Sequence, residues 1–231
     1  MTDPARDRRF VSGDGASNRL YKKDFWSKEN LQYGRPHYRL EKSARIVNRT
    51  ARGRRCALLD VGCGGAALRP LIRPNIEYYG IDIAIHEPAP YLIEADFLEA
   101  PIPFAAKRFD IVVAQGVFEY VGEFQARVFS EIARLLNDSG VFIGSYVNFD
   151  HHDRCIYWPY SNVQSFDEFR RGLVQYFQIR RLFPTSHNWR HSEPRRKLAQ
   201  TVNMHVYVNV PFISRALAVE YFFVCSPRPT G

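Results

Sequence analysis

Residues 57 to 68, ALLDVGCGGAAL, hold the first residues whose types and spacing could do chemistry. Apolar Ala57, Leu58 and Leu59 lead to an acid, Asp60, and then to Gly62, Cys63, Gly64 and Gly65. A buried strand that breaks into a glycine turn lets backbone and carboxylate approach a nucleotide-like ligand closely. A second acid, Asp82, ends the apolar run YYGID about twenty residues further on, where an α/β site places a carboxylate for ribose hydroxyls. The loop is one step shorter than G-x-G-x-x-G, which argues against a dinucleotide site. Two further signals follow in order: Asp96 with Phe97 in IEADFLEAPIPF, and Gln115 with Gly116 after the apolar run FDIVVA.

Proton transfer needs a different set of residues. His151 and His152 lie in NFDHHDR (148–154), and His187 lies in PTSHNWR (184–190). These are the candidate general bases, because imidazole titrates near neutral pH. His151, His152 and Asp153 are adjacent, and adjacent residues seldom converge on one ion, so no metal site is expected. Glu119 and Tyr120 stay open between a site role and the first turn of a helix. The four cysteines, Cys56, Cys63, Cys155 and Cys225, form no CxxC pair, which fits a reducing cytoplasm rather than a disulfide framework.

The four signals together resemble the class I S-adenosylmethionine (SAM)-dependent methyltransferases, in the style of the small-molecule or glycan-type branch and its UbiE-like group. The resemblance covers residues 55–148. The third glycine of the usual G-x-G-x-G is Ala66 here. The resemblance implies SAM as methyl donor and S-adenosylhomocysteine (SAH) as product. It implies that Gly62, Cys63 and Gly64 approach the methionine portion, with Asp60 reaching toward its ammonium. Asp82 would accept from the ribose hydroxyls and Ile83 would pack on adenine. Asp96 would accept from the adenine amine beside Phe97, and Gln115 and Gly116 would pass close to the sulfonium. The family often carries a histidine near the position of Tyr120, and this chain lacks it.

The acceptor is narrowed by exclusion. AQGVF (114–118) is not the [DN]-PP-[YF] string that grips a flipped adenine, and that loop has no cysteine for covalent attack on cytosine. The expectation is O-methylation of a hydroxyl on a small-molecule or sugar-like acceptor. An RNA methyltransferase and a non-catalytic SAM-binding protein remain as alternatives. Trp26, Tyr33, Tyr38, Tyr157, Trp158, Tyr160, Trp189 and Tyr207 could line the acceptor pocket or pack a lid.

These residues must be held by strands. Apolar runs predict strands at about 57–61, 76–82, 91–95, 109–114, 140–147, 177–184 and 216–225. Helical spacing predicts helices at 35–52, 65–73, 123–136 and 165–177, the last with a Ser165–Glu168 capping box. Strands alternating with helices imply an α/β, mostly parallel sheet with helices on both faces, and the resemblance implies the Rossmann-like methyltransferase form of it, with a C-terminal antiparallel hairpin and a lid. The expected organisation is a flexible tail at 1–19, cap helices at 20–52 and a SAM-binding domain at 53–231 with insertions at 148–164 and 185–217.

The net charge of +8 comes from clusters: Arg45, Arg49, Arg52, Arg54 and Arg55 before the first strand, and Arg190, Arg195, Arg196 and Lys197 late in the chain. Such clusters could track phosphates, which keeps nucleic acid open as a less favoured partner. No apolar run approaches the roughly 18 residues of a membrane span, and the polar N-terminus does not read as a secretory signal. A cytoplasmic protein is expected, and its oligomeric state is left open.

Overall fold

The computed structural model describes residues 38–148, 164–185 and 220–228. Helix α1 (Tyr38–Ala51) precedes strand β1 (Cys56–Val61). Strands β2 (Ile76–Asp82), β3 (Leu92–Glu94) and β4 (Phe109–Ala114) follow. Helix α2 (Gln125–Leu135) leads directly into β5 (Leu136–Val147). Helix α3 (Phe166–Tyr176), β6 (Phe177–Thr185) and β7 (Glu220–Pro227) complete the described chain.

The strands form one sheet in the order β3-β2-β1-β4-β5-β7-β6. β1 to β5 run parallel, and β7 lies antiparallel between β5 and β6. The expected Rossmann-like sheet with a C-terminal antiparallel hairpin is therefore present. Strand order reverses between β1 and β4, and a crevice opens at such a switch point, beyond the carboxyl ends of the strands.

Alternation along each strand sends side chains to two cores. Leu58, Ile111, Ile143 and Phe222 face α1, where Ala44, Val47 and Ala51 cover them. Leu59, Val112, Phe142 and Phe223 face the other way, onto Val128, Phe129 and Ile132 of α2 and Phe169 and Leu173 of α3. Full burial of each such side chain stabilises the fold by about 1.5–3 kcal/mol. The α3 capping box forms as expected. Ser165 Oγ accepts the Glu168 N–H at 3.2 Å, and the Glu168 carboxylate accepts the Ser165 N–H at 2.8 Å.

Three boundaries differ from expectation. The helix predicted over 65–73 is absent: residues 65–68 form turns, and only Arg69–Leu71 make a short 3-10 helix. Ala66 has φ +55°, a left-handed conformation that no continuing α-helix allows, and Pro70 adds a residue without an N–H. Helix α2 starts later than predicted because Gly122, at φ +55°, opens a 3-10 turn over Gly122–Phe124. Strand β5 starts at Leu136, four residues earlier than predicted, through the segment NDSG (137–140). There Asn137 Nδ2 donates to Asp110 Oδ1 at 2.9 Å, and the ladder with β4 shifts register between Phe109 and Ile111. A side-chain bridge thus holds the turn residues in extended form.

Candidate functional site at the β1–β4 switch point

The glycine turn is stitched to its neighbour strand. Gly62 and Cys63 both donate their N–H to the Ile81 carbonyl, at 2.8 and 3.2 Å. Gly62 stands at φ +71°, and a Cβ there would lie 2.5 Å from Val117 Cγ2. Only glycine serves, for backbone freedom and for the close approach of the segment leaving β4. Gly64 is also left-handed, at φ +50°, but a Cβ on it would meet nothing within 4 Å. The turn is crowded on the Gly62 side and open on the Gly64 side.

Asp82, at the carboxyl end of β2, reaches across to this turn. Its Oδ2 accepts the Gly64 N–H at 2.7 Å and its Oδ1 accepts the Ala84 N–H at 3.3 Å. Burial raises its pKa, and these backbone donors pull it back down. A carboxylate oxygen has lone pairs for further donors, so hydroxyls can add to the N–H groups already there.

Asp60 is placed differently. It is 5% exposed, and its Oδ2 accepts the Tyr78 hydroxyl at 2.8 Å. Burial pushes its pKa up to about 7, opposed by the Tyr78 hydrogen bond and reinforced by nearby Asp82. The sequence marks the acid, and only the fold reveals its tyrosine partner on β2. Cys63 fills the space against Gly80, where a Cβ would sit 2.7 Å from its Sγ. Burial raises the Cys63 thiol far above its ordinary range, so it packs and does not react.

Ile83 and Phe97 are half-buried and packed against the core. Asp96 Oδ1 accepts the Leu98 N–H at 2.9 Å, and its carbonyl accepts from Glu99, so Asp96 organises the turn after β3. Gln115 and Gly116 leave β4, with Gly116 at φ +67°. Among the described residues neither Oε1 nor Nε2 of Gln115 has a hydrogen-bond partner, although both atoms are buried. His151, His152 and His187 lie outside the described residues, as do Trp26, Tyr33, Tyr157, Trp158, Tyr160, Trp189 and Tyr207. Tyr38 begins α1. Among the described residues no group of His, Cys, Asp and Glu could hold a metal ion.

Sequence reasoning left Glu119 open and missed the rest of a buried polar cluster where α1 lies against the exits of β4 and β5 and the start of β7. Arg39 Nε donates to Glu220 Oε2 at 3.1 Å, and Glu220 is fully buried. Lys42 is 1% exposed and lies over the rings of Phe183 and Phe222, at 5.4 and 4.8 Å. Burial lowers its pKa to about 8, against the pull of Glu220. Glu119 is 1% exposed, and its Oε1 accepts the Val147 N–H at 3.0 Å. A signal existed in the sequence: Lys42 precedes Ile46 by one helical turn on the apolar stripe, and Glu220 interrupts the run ALAVEYFFVC.

The residues present fit SAM. The open side of the Gly64 turn admits a ligand, Asp82 offers carboxylate oxygens at the end of β2, and the Gln115 amide needs polar partners. When bound, SAM supplies a methyl group made electrophilic by its sulfonium.

Comparison with known proteins agrees. A family model described as a methyltransferase domain matches residues 35–183. No curated protein matches the chain. Among solved structures, a SAM-dependent methyltransferase from Archaeoglobus fulgidus shares 15% identity over 89% of this chain and all of that chain, with a TM-score of 0.59. Geranyl diphosphate C-methyltransferase from Streptomyces coelicolor, in complex with Mg2+, geranyl diphosphate and SAH, shares 14% identity over 93% of this chain and 99% of that one, at 0.56. The N-methyltransferase NodS from Bradyrhizobium japonicum, in complex with SAH, shares 11% over 91% and 95%, at 0.53. The matched model spans more than half of the 231 residues, so the chain belongs to the methyltransferase-domain family, on the fold of the SAM-dependent methyltransferases.

Proposed function

We propose that this SAM-dependent methyltransferase methylates a hydroxyl on a small-molecule or sugar-like acceptor. The observation that carries the reading is the set of buried side-chain polar atoms of Gln115, Glu119 and Ser145 that have no hydrogen-bond partner among the described residues, at the carboxyl ends of β4 and β5. Hydrogen-bonding groups at that edge suit a polar acceptor better than an apolar one, because a buried polar group left unpaired costs about 1–3 kcal/mol. Asp60, Gly62, Cys63, Gly64, Asp82, Ile83, Asp96, Phe97, Gln115 and Gly116 would hold the methyl donor, with Asp82 on the ribose hydroxyls. The sequence nominates His151, His152 and His187 for the acceptor's proton. The transfer is an in-line displacement, so the protein mainly holds the reacting atoms in line.

A second reading has its own observation. Arg49, Arg52, Arg54 and Arg55 are exposed at and just after the end of α1, and such a cationic edge suits an RNA backbone. Methyl-labelled SAM incubated with separated extract pools of polar small molecules, lipid-linked glycans and RNA decides between the two. The hydroxyl reading expects label in the small-molecule or glycan pool, lost in Asp82→Ala. Label in RNA overturns it, and SAM binding without label in any pool points to a non-catalytic protein.

A further inference from the structure

The buried side-chain polar atoms without a hydrogen-bond partner among the described residues include Ser43 Oγ, both amide atoms of Gln115, Glu119 Oε2 and Ser145 Oγ. Asp60 and Asp82 are instead served by a tyrosine hydroxyl and by backbone N–H groups. The unmet polar atoms lie on α1 (Ser43), on β5 (Ser145) and on the segment leaving β4 (Gln115 and Glu119). Polar groups are rarely left so in a folded interior unless a ligand or water completes them.

Two of these side chains, Gln115 and Glu119, sit four residues apart on the segment leaving β4. That segment abuts the glycine turn through Val117, whose Cγ2 would lie 2.5 Å from a Cβ on Gly62. Its other side abuts α1, since a Cβ on Gly116 would lie 3.2 Å from Arg39 Nη1. Glu119 Oε1 is anchored by the Val147 N–H at 3.0 Å, which leaves Oε2 as the oxygen with work to do.

We propose that Glu119 Oε2 receives the proton of the acceptor hydroxyl, while the Gln115 amide, on the same segment leaving β4, holds the acceptor oxygen. This rests on the hydroxyl reading above and assigns its proton acceptor within the described site, in place of the three histidines that the sequence nominates. The acceptor O–H proton passes to Oε2, an oxygen lone pair forms the O–CH3 bond, and the electron pair of the broken C–S bond stays on sulfur, giving neutral SAH. The carboxylate becomes a carboxylic acid, so charge balances.

The surroundings suit the role. Burial pushes the Glu119 carboxyl up to about 7, with Arg39 lowering it and Glu220 raising it. The charged groups of the cluster are Arg39 and Lys42 on α1 and Glu220 on β7, while β5 contributes the neutral Ser145 and the Val147 N–H. A sulfonium brought beside the β4 exit adds a positive charge and favours the ionised carboxylate, whereas the neutral sulfur of SAH does not. SAM, and not SAH, should therefore expel a proton from the protein near pH 7.

Calorimetric titration of the full chain with SAM and with SAH, at pH 7 in buffers of different ionisation enthalpy, measures that proton. In the unmodified protein, SAM should release about half a proton more than SAH, since a group with pKa about 7 is half protonated there. Glu119→Gln should abolish the difference while binding SAH within about threefold, and Glu119→Asp, which restores the charge, should recover it. Equal release by SAM and SAH, or a difference that survives in Glu119→Gln, overturns the proposal. An acceptor methylated on nitrogen or carbon would overturn the hydroxyl reading and with it the hydroxyl-proton role of Glu119, while the proton release would still locate Glu119 beside the sulfonium.

Discussion

Asp82 Oδ2 accepts the Gly64 backbone N–H at 2.7 Å, which ties the end of β2 to the turn that follows β1. One carboxylate thus shapes the turn and faces the ligand it is proposed to hold. Asp82→Ala should lose both effects and bring SAH binding below detection. Asp82→Asn keeps an amide oxygen for the Gly64 N–H but loses the charge, and should weaken SAH binding about tenfold or more with little change in melting temperature. Calorimetry and thermal unfolding of the two variants separate ligand loss from turn loss.

Gly62→Ala meets two obstacles at once. The residue sits at φ +71°, which costs an L-residue roughly 1–2 kcal/mol, and its Cβ would fall 2.5 Å from Val117 Cγ2. Gly64→Ala carries only the first, because space is open there. Gly62→Ala should therefore lower the melting temperature clearly more than Gly64→Ala. Gly64→Ala should instead weaken SAH binding, because its methyl group enters the ligand's side of the turn.

Glu220 is fully buried with Arg39 Nε on its carboxylate and Lys42 nearby. Removing one partner of such a group leaves buried positive charge without compensation. Glu220→Ala should cost about 3–5 kcal/mol of stability. Urea unfolding would show this as a lower midpoint at unchanged slope. A loss below about 1 kcal/mol would mean that the pair behaves as a surface ion pair.

Asp60 and Glu119 both have folded-state pKa values near 7, well above their unfolded values. Between about pH 4 and pH 7 these two groups therefore hold more protons in the folded protein than in the unfolded chain. Stability attributable to these groups is present at the acid end and lost as pH rises through 7. The opposite slope is the usual one for ion-paired carboxylates, so the sign is diagnostic. Asp60→Asn, which still accepts the Tyr78 hydroxyl, should flatten the decline in melting temperature between pH 5 and pH 7.5. An unchanged slope would show that Asp60 is ionised in the fold.

Much of the frame was legible in residue order. β2 and β4 fall where their apolar runs were read, and Ser165 with Glu168 caps α3, because these features depend on side chains a few residues apart. The missed helix after Gly65 had the right composition, but a left-handed Ala66 is a backbone state imposed by the packing of the turn. The early start of β5 needed the Asn137–Asp110 bridge, a contact across 27 residues.

The sequence by itself determined the glycine turn, the acid that ends each of the first two strands and the alternation that builds the sheet, since all are local patterns of polarity and backbone freedom. It named Asp60 and Asp82 but not their different partners, Tyr78 and the Gly64 N–H. It left Glu119 undecided and passed over Arg39, Lys42 and Glu220. Only the tertiary structure decided those, by bringing α1 and the start of β7, 181 residues apart at Arg39 and Glu220, against the exit of β4. The burial that raises Glu119 and lowers Lys42 is a property of that assembly, because desolvation depends on what surrounds a charge and not on its neighbours in the chain.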